Sequence, residues 1–225
     1  MRALALAAGL ALAPGAAAAC ALELILAMDV SGSINAREYA LQAGGLADAF
    51  EDPALVEAVE RLDGGMLVTL TQWSGGSRQS HVVGWHRATD AEDLAAFARA
   101  IRASRREWRN FSTAIGEALV HAEAVSRGAP ATCGRRVIDV SGDGVSNEGR
   151  PPRPEAARLA ADGYVINGLA IRGAEPDPVE HYEREVIAGP GAFVEVAESF
   201  ADFPRAILRK LLREIDRPMI VSDAD

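Results

Sequence analysis

Apolar residues along the chain fall into two kinds of run. Leu22 to Ala27, Met66 to Trp73 and Arg135 to Val140 are short stretches rich in Leu, Ile, Val and Thr, each ending in a polar loop. Strands buried on both faces read this way, because neither face has to meet water. Elsewhere apolar positions return every third or fourth residue, the signature of one helix face. Tyr39, Ala43, Leu46 and Phe50 form such a stripe in a helix capped by Asn35. A short helix over Pro53 to Arg61 starts on a favourable proline. Thr89 and Glu92 form a capping box before Leu94, Phe97, Ala98 and Ile101. Ile115, Ala118, Leu119 and Ala122 mark a helix running to about Ser126, stopped by Gly128.

The rest of the chain continues the alternation. Helices are predicted over Pro154 to Ala161 and Pro178 to Ile187, and strands over Tyr164 to Ile171 and Ala192 to Ala197. Ser199 caps a terminal helix carrying Phe203, Ile207, Leu211 and Ile215. Arg78 to Val83 follows the turn Ser74-Gly75-Gly76-Ser77 and folds back on Met66 to Trp73 as a hairpin. The pattern predicts an α/β fold: a doubly wound, mostly parallel sheet with one antiparallel edge strand and helices on both faces.

The N-terminus is of another kind. Met1-Arg2, the apolar run Ala3 to Ala13 and the small residues Ala17-Ala18-Ala19 read as a signal peptide over residues 1–19. The domain then covers residues 20–217 and a frayed tail 218–225. No later stretch is long and apolar enough to span a bilayer. Without residues 1–19, which hold Arg2 and no acid, 22 basic residues face 32 acidic ones, a net of −10. That balance argues against nucleic acid and anionic membranes as partners. The two cysteines, Cys20 and Cys133, precede apolar runs of similar length, so adjacent parallel strands would bring them to one sheet edge as a disulfide. Lipidation of Cys20 is the rival; it lacks the usual Leu three residues earlier. The expected location is periplasmic or secreted.

Asp29, Ser31 and Ser33 stand at alternate positions in the loop after the first strand. Such hard oxygen donors suit Mg²⁺, with Mn²⁺ or Ca²⁺ as relatives. Ser112 and Thr113 precede the middle helix, and Asp143 follows the strand at 135–140. All three pieces fall on the side of the sheet where α/β folds bind ligands.

With these residues in place, the chain resembles the von Willebrand factor A domain family. Its metal-ion-dependent adhesion site reads Asp-x-Ser-x-Ser, then Thr, then Asp followed by Gly. "LAMDVSGSI", "QWSG", "RRVIDVSGDG", "NGLAI", "GPGAFVEVA" and "FPRAILRKLLREI" resemble an exported bacterial branch of that family. The resemblance implies six strands, direct metal contacts from Ser31, Ser33 and Thr113, and water-mediated contacts from Asp29 and Asp143. Ser112 stands where relatives often have Gly, and is the alternative to Thr113. It also implies binding rather than catalysis, with a protein partner supplying a carboxylate to the metal.

Other residues carry weaker signals. Trp73 and Trp108 are candidates for a partner-facing wall. Asp139 either braces the metal loop or faces solvent at the strand end. Arg205, Arg209, Lys210 and Arg213 read as a solvated helix face. The four scattered histidines do not make a zinc site. A Mg²⁺-assisted phosphohydrolase is the enzymatic alternative, but no Lys or Arg is evident beside the loop to take developing charge. A metal-free periplasmic scaffold is the third reading.

Overall fold

The computed structural model describes residues 20–216, so the expected signal peptide and the tail lie outside the described residues. Six strands form one sheet: β1 (Cys20–Asp29), β2 (Met66–Trp73), β3 (Gln79–Ala88), β4 (Cys133–Gly142), β5 (Tyr164–Ile171) and β6 (Val194–Ala197). Their order is β3-β2-β1-β4-β5-β6, parallel throughout except for the β2–β3 hairpin. The winding reverses between β1 and β4, so the crevice at their carboxyl ends is the switch point where such folds bind ligands.

Strand alternation divides the core. Leu22, Leu24, Leu26 and Met28 face one layer, with α1 (Ala36–Phe50), α2 (Pro53–Glu60), α3 (Ala91–Ala103) and α7 (Phe203–Ile215). Ile25 and Ala27 face the other, with α4 (Ile115–Arg127) and α5 (Pro152–Ala161). Burial on both sides is why β1 reads as an unbroken apolar run. The short α6 (Pro178–His181) continues through one π-helical turn, Tyr182–Val186, which places Tyr182 under the switch point. Cys20 and Cys133 are direct register partners on β1 and β4, and they form a disulfide across a Cα–Cα distance of 4.5 Å.

Local details differ from the expectations. The cap of α3 is Asp90, which accepts from the Asp93 N–H at 3.0 Å, while Thr89 donates to the Asp93 carboxylate. Asp202, not Ser199, precedes α7. β3 runs on to Ala88, because its half-exposed outer face tolerates the polar residues that end the apolar pattern.

Two further differences concern charge. Lys210 is fully buried rather than solvated: its Nζ stands 2.6 Å from both Asp139 Oδ2 and Glu214 Oε1. Asp139 therefore faces neither solvent nor the metal loop. Arg205 and Arg209, on the same helix, pair at the surface with Asp202 and Glu195.

Candidate metal centre

The loop after β1 is shaped by its own carboxylate. Asp29 Oδ1 accepts the Ser31 N–H at 2.7 Å, a tight turn typical of Asp. That turn puts the Ser31 and Ser33 hydroxyls 3.3 Å apart, and Ser33 Oγ donates to Asp143 Oδ1 at 2.7 Å. Three of the expected donors are thus in direct contact although they come from two strands. Ser33 is exposed, while Asp143, Ser31 and Asp29 are 5%, 1% and 0% exposed, so the group runs from the surface inward.

The third segment is docked by backbone. Gly32 N–H donates to Phe111 O at 2.8 Å, and a Cβ at Gly32 would come within 3.1 Å of the Asn110 Cα. Asn110 itself turns through a positive φ of 61° to make that approach. Thr113 is then clamped from the loop after β4: its N–H donates to Asn147 Oδ1, and its carbonyl accepts the Asn147 N–H, both at 2.9 Å. Gly144 leaves the Thr113 hydroxyl in ordinary contact range, 3.6 Å from where a Cβ would stand. Thr113 is buried; Ser112 is exposed, and its carbonyl accepts from Ser74 Oγ.

Beneath the loop, Asp29 Oδ2 is buried and makes no hydrogen bond within the described protein. Tyr182 Oη is likewise buried without a partner. A Cβ on Gly142 would lie 2.7 Å from each of these atoms, so only glycine fits between them. Burial, followed by the neighbouring Asp143 charge, pushes the Asp29 carboxyl up to about 8. Burial also raises Asp143, and burial together with Asp29 and Asp143 raises Tyr182. The positive group beside this acidic floor is Arg106, which donates to the carbonyls of Val30 and Ser31 at 2.9 and 2.8 Å.

A divalent cation fits this donor set. An orphaned buried carboxylate oxygen beside a second carboxylate is costly, and a cation relieves both the missing partner and the repulsion. The surrounding donors are hydroxyls and carboxylates, the ligands of hard cations. Among the described residues no group of three or more His, Cys, Asp or Glu could hold a metal, so any ion here has to draw on Ser and Thr.

Sequence reasoning missed several of these parts. Arg106 sits in an aperiodic charged connector, where nothing in the pattern points it at the loop; it corrects the expectation that no Arg stands beside it. Asn147 and Tyr182 carried no motif. Trp73 is corrected in the opposite direction: it is 1% exposed and its indole donates to Ala27 O at 2.9 Å, so it cannot face a partner. Trp108 is partly buried against the α1-side core.

Several solved structures share this fold. Proximal thread matrix protein 1 from the mussel byssus, solved with a zinc-occupied MIDAS motif, is 18% identical, with a TM-score of 0.64 over 88% of this chain and 46% of that one. A von Willebrand factor type A protein from Catenulispora acidiphila is 18% identical, with a TM-score of 0.59 over 87% and 42%. The pilus adhesin SpaC from Lactobacillus rhamnosus GG is 16% identical, with a TM-score of 0.61 over 87% and 30%. The chain spans less than half the length of each of these three proteins. No curated protein sequence matches it. The chain belongs to the family described as protein of unknown function (DUF1194), whose model matches residues 19–219, and it has the fold of a von Willebrand factor A-type domain.

Proposed function

We propose that the domain is an exported binding module that captures a protein partner through a divalent cation held at the carboxyl ends of β1 and β4. The observation that carries this reading is Asp29 Oδ2, buried and unpartnered beside Asp143 at the switch point. Ser31, Ser33 and Thr113 would contact the ion directly, with Asp29 and Asp143 behind them through water. When bound, the ion supplies Lewis acidity and an open coordination position that a partner's carboxylate can fill.

The protein's own residues prepare that position. Asp29 fixes the turn that aims Ser31, Asp143 holds the Ser33 hydroxyl, and Asn147 fixes the Thr113 backbone. Thr113 is preferred to Ser112 as ligand, because its buried backbone is clamped on both sides. Arg106 offsets the acidic floor, but its Nη2 is already engaged by two loop carbonyls. That engagement favours a structural role over taking the charge that develops on a phosphate ester. Magnesium is the proposed physiological ion. Export is supported by the Cys20–Cys133 disulfide, since such bonds persist in oxidising compartments.

The test is a pull-down from an envelope extract with Mg²⁺, with chelator, and with Asp29→Ala. Prey retained by the wild type in Mg²⁺ alone is expected; identical prey under all three conditions would contradict metal-dependent capture.

A further inference from the structure

Immediately beside the metal loop lies a second, basic feature. Ala36, Tyr39, Arg105, Arg106 and Arg109 line a cavity of about 280 Å³. Arg106 reaches the metal loop through the Val30 and Ser31 carbonyls and so forms the wall between cavity and metal centre. Its Nε is buried with no hydrogen-bond partner. Arg105 and Arg109 are both exposed.

Arg106 offsets the acidic floor of the metal loop, which leaves Arg105 and Arg109 as the exposed cations of the cavity. The Glu38 carboxylate is held by the Asn35 N–H at 2.7 Å in the cap of α1. Glu107 is exposed, and its backbone N–H donates to Gln72. Three arginines crowded round one cavity, in a chain whose net charge is −9, form a local exception that calls for an anion.

We propose that this arginine cavity binds a second acidic side chain of the same partner. The partner class is then a protein segment bearing two carboxylates, one for the metal and one for Arg105 and Arg109. This rests on the metal-capture reading for the first carboxylate only. A protein segment is favoured over a sulfated polysaccharide because the metal-capture reading already draws its first carboxylate from a protein. Phe111 is the exposed large hydrophobic residue among those described, 42% exposed, and its carbonyl is tied to Gly32 of the metal loop. Arg78 lies over its ring at 4.6 Å. An apolar side chain flanking the acids would rest against it. Guanidinium groups suit the task because their planar forks take carboxylates in pairs of hydrogen bonds.

The probe is a fluorescent hexaglutamate peptide, titrated onto the full domain in Mg²⁺ and in chelator. Arg105→Ala/Arg109→Ala is compared with the charge-matched control Arg61→Ala/Arg184→Ala, whose residues form exposed pairs elsewhere. Arg106 is left intact because it braces the loop. The cavity variant is expected to weaken binding about tenfold in both media, and the control by less than about twofold. The Mg²⁺-induced rise in thermal midpoint should survive in the cavity variant, showing that it folds and keeps its metal centre. Equal weakening by both variants, or by neither, overturns the proposal. A heparin oligosaccharide that binds through Arg105 and Arg109 while hexaglutamate does not also overturns it. Failure of the metal reading is distinct: Mg²⁺ then changes neither midpoint nor affinity, while the effect of the cavity variant in chelator still decides the arginine site.

Discussion

Ser33 Oγ donates to Asp143 Oδ1 at 2.7 Å across 110 residues of sequence. This one contact joins the loops after β1 and β4 at the switch point of the sheet. Ser33→Ala removes the donor and an expected metal ligand from an exposed position, where the fold loses little. Mg²⁺ affinity, measured by calorimetry, is expected to fall about tenfold. The urea midpoint without metal should be nearly unchanged. A large loss of metal-free stability with unaltered affinity would make the contact a brace and not a ligand site.

The buried Asp29 carboxyl gives the metal-free protein a distinctive pH dependence. Its value rises from 3.8 to about 8 on folding, so between these values the unfolded chain releases a proton that the native state retains. This group therefore costs stability progressively as pH rises from about 4 to about 8. Asp29→Asn removes that loss, and in chelator at pH 8 the variant should melt no lower than wild type. Mg²⁺ needs the ionised form, so its apparent affinity should climb by up to about tenfold per pH unit from pH 6 to 8. A flat affinity over that range would contradict a buried protonated Asp29.

Lys210 is the counter-charge for two buried acids, Asp139 and Glu214. Burial pushes both carboxyls upward and Lys210 opposes it. Lys210→Met leaves them uncompensated and is expected to cost about 3–5 kcal/mol in urea unfolding. Adding Asp139→Asn and Glu214→Gln should recover much of that loss, because the penalty lies in the unpaired charges. Arg209→Met, at a surface pair, should cost under about 1 kcal/mol.

The Cys20–Cys133 bond spans 113 residues and ties the starts of β1 and β4, the strands that carry Asp29 and Asp143. Replacing both cysteines with serine is expected to lower stability by about 2–5 kcal/mol. An unchanged urea midpoint would show that strand pairing alone fixes this end of the sheet.

The fold was legible where one physical cause dominates a stretch. β1 reads as buried from both faces, and α1 as a one-faced helix, because burial dictates every residue type there. Asp29, Ser31, Ser33, Thr113 and Asp143 were readable because each stands beside a strand or helix end whose place the pattern already gave. Arg106 was not: it lies between α3 and α4 where no periodicity holds, and only the folded chain aims it at Val30 and Ser31. Lys210 misled because charge on a helix usually means solvent, and its acidic partners come from β4 and from one turn further along α7. Trp73 misled because a strand-end tryptophan looks available until the Ala27 carbonyl is seen to hold its indole.

The central claim is that Asp29 completes a divalent-cation site. Its most direct measurement is the thermal midpoint during a Mg²⁺ titration of wild type and Asp29→Asn. A saturable rise in the wild type, as mass action requires of a ligand bound only by the native state, and none in Asp29→Asn is the expected result. A wild-type midpoint that Mg²⁺, Mn²⁺ and Ca²⁺ all leave unmoved, or an equal rise in both proteins, would contradict it.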